Sequence, residues 1–521
     1  MPLAASRTGV WLAGSLLALF LFRLWFAAAL PLTGDEAYFV VWGQQLAGGY
    51  YDHPPMVGWW LAALLQFGRA EWWLRLPAVL APFLLAWGAW WLLRGEGEGD
   101  EERARFAALL TLLQPTHVWN VLITTDTPVV VFSFLSVLAY VHGCRRAGRT
   151  QSLLWHALAG VLLGLAFLGK YFAALLGFAF AAHVLFVRRD RGRWWPFVAL
   201  TLCALLGPAW NLWWNSEHCW ANVVFNFFNR QGKAGFDWQN PLLFLVSLAY
   251  LLTPWLLWAL WRSRQACRAT LVSAPAASRQ LVLALGWLAG VPLLAFFALS
   301  LRKSVGLHWL LAFMPLLAVL AAALLPVRAL WQVLRWSAVF ALLHALAAIV
   351  LLALPTSIWK GTGIHADAVL TLRGAAVERA LREPLARCGE GCTVTMESYS
   401  AAATLGYAIN RRVVVFGDGS FHGRQDDFDT DFRQLDGRDF LILRKETVSP
   451  ERYAPFFERV EVASFNVEGV AFHAVLAQGF RYAVYHERML TRIRDRFYTI
   501  PAWLPQRACD FKDRYFSDPA R

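Results

Sequence analysis

The chain has 521 residues, of which 58% are hydrophobic and only 16% charged, and its formal net charge is +13. A soluble globule of this length has no use for so much apolar surface. Its 28 tryptophans fit a bilayer, whose interfaces favour an apolar ring carrying one polar N–H. The positive charge does not indicate nucleic acid, because the arginines sit in short loops between apolar runs and no basic stripe is interleaved with stacking aromatics.

Apolar runs of roughly 18–22 residues recur along the chain, the length that crosses a hydrocarbon core of about 30 Å. Eleven spans are predicted, at 10–30, 74–94, 104–122, 127–143, 152–169, 171–187, 195–213, 241–261, 280–300, 307–325 and 336–355. Ala27-Ala28-Ala29 resembles a signal-peptide cleavage site, but the run is itself long enough to span, so it reads as an uncleaved first helix. A cytoplasmic N-terminus puts the loops 94–105, 144–149, 188–193, 262–279 and 328–335 inside, each with at least two arginines. The opposite orientation would put every one of them outside.

An odd number of spans places residues 356–521 in the periplasm. Runs at 393–397, 412–416, 440–443 and 470–475 read as strands, separated by polar segments such as Gly417-Asp418-Gly419-Ser420. The expected architecture is an all-α polytopic membrane bundle, residues 1–355, followed by a small C-terminal α/β periplasmic domain, residues 356–521. Most of the seven cysteines lie in apolar runs and read as core thiols. Cys388 and Cys392 flank a Gly-Glu-Gly turn and can pair if the tail lies in an oxidising compartment.

With this topology the outer loops gather a set of ionisable groups, which are costly at membrane depth and tend to mark function. The first outer loop carries Asp35-Glu36 and then Tyr51-Asp52-His53-Pro54-Pro55. The second ends in Thr125-Asp126-Thr127-Pro128. Lys170-Tyr171 occupies a tight turn, Asn215, Glu217, His218, Asn226 and Arg230 fall in one loop, and Arg302-Lys303 precede His308 in another. The first 355 residues hold only three lysines, Lys170, Lys233 and Lys303, all in these outer loops. Plainer readings exist for each group. Asp35-Glu36 and Asp126 suit helix N-termini, Lys170 can snorkel from a helix end, His53 can be a turn residue, and Arg302-Lys303 can be a surface anchor. The placement of all of them on one face favours a functional reading.

The chemistry these groups suit is transfer from a lipid phosphate. Breaking a sugar–phosphate bond leaves negative charge on phosphate, which Lys170, Arg302 and Lys303 can meet. A carboxylate at Asp35 or Asp126 can orient or deprotonate the acceptor and offset positive charge on the sugar. No Gly-rich phosphate loop appears in a strand–turn–helix setting, which disfavours a nucleotide-sugar donor.

The Asp-Glu pair after the first span, Tyr-Tyr-Asp-His-Pro-Pro later in the same loop, Thr-Asp-Thr-Pro before the fourth span and Gly169-Lys170-Tyr171 form a recurring set. Over roughly residues 8–325 the chain resembles bacterial members of the dolichyl-phosphate-mannose protein mannosyltransferase superfamily, near the 4-amino-4-deoxy-L-arabinose lipid A transferase branch. The resemblance implies a glycosyltransferase C-type fold at the inner membrane and inverting transfer of a monosaccharide from a polyprenyl phosphate without a nucleotide. The acceptor would be lipid A, another envelope glycan or a protein, with membrane lipids as surroundings. By position it implies Asp35 as the key carboxylate, with Glu36 beside it, Asp126 as the second acid and Lys170 as a donor-phosphate contact. Tyr51, Asp52, His53, Tyr171, Arg302, Lys303 and His308 are the accompanying substrate-binding candidates. The branch usually reads Glu-Lys-Pro where this chain has Asp52-His53-Pro54, which leaves the sugar open. No cofactor is firmly implied; a divalent metal is conceivable, with Asp52 and His218 or His308 as candidate ligands. The alternative function is a transporter or flippase of a lipid-linked glycan, which would claim Arg23 and His344, both predicted within spans.

Overall fold

The computed structural model describes residues 6–95, 98–146, 148–230, 235–505 and 507–517; Lys233 of the lysine pattern lies outside them. Eight helices among these residues are long and apolar enough to cross a membrane: Arg7–Ala29, Leu76–Leu93, Asp126–Arg145, Arg149–Phe167, Arg191–Glu217, Ala276–Ser300, Leu307–Leu324 and Val327–Ala353. A ninth is reached if Gln239–Leu252 and Pro254–Arg262, bent by 84°, are counted as one. The bend has a local cause: Thr253 sits at φ 66°, unfavourable for a β-branched residue, and Pro254 has no N–H to continue the helix.

The expected count of eleven is therefore not reached on length and apolarity. The predicted span at 104–122 falls on the helix Glu98–Leu112, which ends before Pro115 and a separate short helix Pro115–Trp119. The one at 171–187 falls on an apolar helical stretch, Tyr171–Phe186, that is too short.

The chain forms two compact units, and the cut is not a single one at residue 355. The helical unit comprises Met1–Ala29, Gly68–Trp210 and Lys233–Leu352; the α/β unit comprises Leu30–Phe67, Asn211–Gly232 and Ala353–Arg521. The tail thus begins within three residues of the expected boundary. It is joined by two segments that the sequence reading had assigned to loops of the membrane domain.

The α/β unit is built on a five-stranded sheet of order β2-β1-β3-β5-β4, with β1 Thr393–Met396, β2 Val414–Val415, β3 Phe440–Arg444, β4 Phe457–Val467 and β5 Val470–Phe480. β1 runs parallel to β2 and β3, while β3–β5 and β5–β4 are antiparallel. β3 reads as an unbroken apolar run because both of its faces are covered: Phe440 and Ile442 enter one core cluster, Leu441 and Leu443 the other. β4 and β5 form a hairpin whose two-residue turn needs φ > 0 twice, met by Glu468 at 49° and Gly469 at 83°.

Two disulfides lie in this unit. Cys388–Cys392 is the pair anticipated from the turn. Cys219–Cys509, 290 residues apart, corrects the reading of both residues as core thiols and fastens the 211–232 segment to the C-terminal end. Trp220 reinforces the junction, its indole N–H donating to the Pro505 carbonyl at 2.8 Å. Replacing Cys219 by Ser is expected to lower the stability of the unit by about 2–5 kcal/mol. A lower melting temperature, together with a mobility shift on non-reducing gels relative to wild type, checks it.

Candidate active site

In the helical unit, Asp126 opens the Asp126–Arg145 helix, and Pro128 in its first turn sets φ where no N–H is needed. The cap position belongs to Thr125, whose side chain caps nothing, so Asp126 is not the N-cap that the plainer reading made it. Its carboxylate instead accepts two hydrogen bonds from the Lys170 ammonium, at 3.0 and 2.9 Å. Lys170 is reached through Gly169, where an added Cβ would lie 3.0 Å from Val129 and 3.1 Å from Pro128, tight enough that the turn closes best without a side chain. Both charged side chains are largely buried, with 10% and 14% of their surface exposed.

The His308 Nε2 lies 3.9 Å from Asp126 Oδ2. Phe172 packs beside the pair, 5.4 Å from the Lys170 ammonium and 4.1 Å from the Trp309 ring. Asp126, Lys170 and His308 are therefore brought together as the sequence suggested, with Tyr171 next in line against Phe167. An ammonium has three N–H bonds, so two directed at Asp126 leave one for an anion. Arg302 and Lys303 follow the Ala276–Ser300 helix, their backbone N–H groups sharing the Leu299 carbonyl. Cations just beyond a helix C-terminus are favoured by its dipole.

Arg23 and His344, the residues a transport pathway would claim, have structural partners. Pro82 has no N–H, which orphans the carbonyl of Ala78 one turn earlier; Arg23 donates to it at 2.6 Å, and also to the carbonyls of Val79, His117 and Asn120. His344 holds the Tyr250 hydroxyl at 2.8 Å and its own Phe340 carbonyl at 2.8 Å.

In the α/β unit, Thr33 caps the helix Gly34–Gln44 in a capping box with Glu36. The buried Glu36 carboxylate accepts from the Thr33 N–H at 3.0 Å and hydroxyl at 3.1 Å, so the capping reading holds for Glu36. Asp35, one residue earlier, is exposed and accepts a 3.1 Å hydrogen bond from the Tyr399 hydroxyl. Two glycines seat that tyrosine. A Cβ on Gly34 would lie 2.8 Å from Ser400, and one on Gly423, at φ 63°, would lie 2.1 Å from the Tyr399 ring. Burial and the charge of Asp35 push the Tyr399 phenol upward, so it remains a donor throughout the physiological range.

Tyr51 is fully buried against Phe225 and Tyr498, its N–H donating to Gln425 at 2.9 Å. His53 lies 6.2 Å from the Trp42 ring, and its carbonyl accepts from the Tyr50 N–H. Asp52 is buried, and its Oδ1 has no hydrogen-bond partner among the described residues. Burial pushes its pKa up to about 7; the charge of Asp35 adds to the shift, while Arg230 and the Gly423 N–H oppose it.

His218 bonds the Trp214 carbonyl at 2.8 Å and faces Asp510 at 3.7 Å. Among the described residues no group of three His, Cys, Asp or Glu side chains is placed to hold an ion.

A cavity of about 350 Å³ opens where β1 and β2 end, the edge of a parallel sheet at which ligands characteristically bind. Its wall includes Tyr399 and the Gly417–Ser420 loop, which the sequence reading treated only as a separator between strands. Its arginines are matched: Arg424 grips Asp427 at 2.7 and 2.9 Å, and Arg452 donates to Glu397 at 2.8 Å. Tyr399, Arg424 and Gln425 escaped the sequence reading because their significance comes from chain segments hundreds of residues away.

Known proteins resemble the chain in several ways. A family model described as dolichyl-phosphate-mannose-protein mannosyltransferase matches residues 52–214. Lipid A galacturonosyltransferase RgtD of Rhizobium johnstonii is 26% identical over 266 residues, 46% of this chain and 52% of the relative, so the chain spans about half the length of that relative. ArnT from Cupriavidus metallidurans superposes in its apo state with a TM-score of 0.62 at 17% identity. Its structure bound to undecaprenyl phosphate superposes with a TM-score of 0.63 at 15% identity. Each match covers 90% of this chain and 98% of the ArnT chain. At these identities the ArnT likeness is one of fold.

Two outcomes test the geometry. Lys170→Met leaves a largely buried carboxylate unpaired and is expected to cost about 3–5 kcal/mol. The double variant with Asp126→Asn should cost less than the sum of the single changes, as a thermal-unfolding cycle measures. For Asp52, the folded pKa near 7 lies above the ordinary carboxylate value of 3.8, so the unfolded chain ionises first as pH rises. The favourable contribution of neutral Asp52 is therefore full below about pH 4 and lost by about pH 7. Asp52→Asn should flatten that part of the stability–pH curve.

Proposed function

For a chain that resembles the dolichyl-phosphate-mannose-protein mannosyltransferases over residues 52–214 and shares the fold of ArnT, we propose membrane glycosyltransfer from a polyprenyl phosphate to a lipid A-type acceptor at the periplasmic face of the inner membrane. The observation that carries the reading is the buried Lys170–Asp126 pair, a lysine held by two hydrogen bonds with a third N–H left for phosphate.

In this scheme the acceptor oxygen attacks the anomeric carbon from the side opposite the phosphate. The bond to the phosphate oxygen breaks with its electron pair, and configuration inverts. Lys170 meets the charge that develops on the departing phosphate, and Asp126 fixes the direction of the ammonium. To Asp35, whose carboxylate accepts from the Tyr399 hydroxyl, the family resemblance alone gives the role of a carboxylate that offsets positive charge on the sugar and, for a hydroxyl acceptor, takes its proton. A phosphate acceptor arrives charged and needs no base. Asp52, with a pKa near 7, can hold or release a proton at neutral pH. The cavity walled by Tyr399 is assigned to the acceptor headgroup. The two disulfides and the arginine-rich loops support an oxidising compartment for the α/β unit and a cytoplasmic N-terminus.

Incubating the purified protein with radiolabelled polyprenyl-phosphate sugar and candidate acceptors tests the reading. Asp35→Asn should lower kcat roughly 10²–10⁴-fold while the protein still inserts and accumulates. Tyr399→Phe should lower it about tenfold, the effect of one lost hydrogen bond to a charged group. Full activity in Asp35→Asn would remove that residue from the mechanism.

A further inference from the structure

The helical unit contains a second polar cavity, of about 650 Å³, which the transfer scheme does not use. It lies at the C-terminal end of the Asp126–Arg145 helix, so one helix of 20 residues, about 30 Å long, carries Asp126 at one end and this cavity at the other. The positive-inside pattern assigns that end to the cytoplasm.

Four arginines line the cavity, Arg145, Arg146, Arg188 and Arg189, against a single carboxylate, Asp190. Asp190 is committed to Arg188, which donates to it at 3.0 and 2.8 Å. Arg145 donates to the Leu92 carbonyl, and Arg146 meets another basic group, His142. Arg189 makes no ion pair among the described residues. Three of the four guanidinium groups thus lack a carboxylate partner here, which contrasts with the cavity beside Tyr399, whose arginines are matched. The first turn of the 25-residue Ala276–Ser300 helix also forms part of the wall. It holds no acidic residue, so the positive end of its dipole is left uncompensated. The rest of the wall includes Cys144, His183 and Gln280, and its apolar part is formed by Val141, Val187, Leu281 and Ala284.

Guanidinium groups that share a cavity with apolar side chains are complementary to a phosphate ester carrying hydrocarbon chains. Arginine loops that serve only to set topology need surface exposure and no cavity. We propose that this cavity binds the phosphate headgroup of an anionic phospholipid, with the acyl chains against Val141, Val187, Leu281 and Ala284.

The test uses the full-length protein in detergent, titrated separately with phosphatidylglycerol, phosphatidylcholine and inorganic phosphate, and read by native mass spectrometry and melting temperature. Wild type should retain and be stabilised by phosphatidylglycerol in preference to phosphatidylcholine. The double variant Arg146→Gln/Arg189→Gln changes two exposed side chains that hold no backbone carbonyl, and should bind phosphatidylglycerol roughly 10- to 30-fold more weakly. Arg328→Gln/Arg335→Gln, two exposed arginines outside the cavity, should bind it as wild type does. Absence of a headgroup preference, or an equal loss in the two double variants, would overturn the proposal. Saturation by inorganic phosphate with no preference for the lipid would overturn the assignment to a phospholipid.

Discussion

The charge pair of Lys170 and Asp126 is the constraint around which the helical unit is arranged. Two opposite charges that are nearly withdrawn from solvent cost desolvation energy, and a well-packed apolar pair of the same volume would be neutral or more stable. The geometry around them is nonetheless specific. Gly169 lets one helix end against the start of another, Pro128 fixes that start, and Phe172, backed by Trp309, packs beside the ammonium. The proposed transfer uses this geometry to meet a developing phosphate charge. The same local economy explains Arg23, which occupies a buried position because Pro82 leaves a carbonyl to be satisfied.

The α/β unit places the other carboxylates by a different device. Asp35 and Asp52 belong to the segment after the first helix, yet their surroundings come from the far end of the chain: Tyr399, Gly423 and Gln425. The disulfide between Cys219 and Cys509 draws a third segment into the same unit. The tail is thereby part of the environment that sets the protonation of Asp52 and the orientation of Asp35, which gives it a physical role beyond that of an appended domain.

Much of this was legible from local pattern. Apolar runs located the membrane helices, and β1, β2, β3 and β5 stood out because their residues are apolar on at least one covered face. β4 was missed: its sequence Phe-Glu-Arg-Val-Glu-Val is charged on the open side, and only pairing with β5 makes it a strand. Among the described residues the count of eleven is not reached by length and apolarity where a break interrupts the run, as at Pro115, or where the helix is short, as at Tyr171–Phe186. The partner of Cys219, the burial of Tyr51 and the capping box of Glu36 were not legible, because each is set by contacts that composition does not reveal. Asp126 and Lys170 were singled out because ionisable groups at membrane depth are costly and several of them fell on one predicted face.

The account depends most directly on Lys170 being the phosphate contact. Binding of undecaprenyl phosphate to the purified wild type, to Lys170→Met and to Lys170→Arg decides it. The account predicts a loss of at least tenfold in affinity for Lys170→Met and partial retention for Lys170→Arg, with the folded state verified by its melting curve. Wild-type affinity in a folded Lys170→Met protein would contradict it.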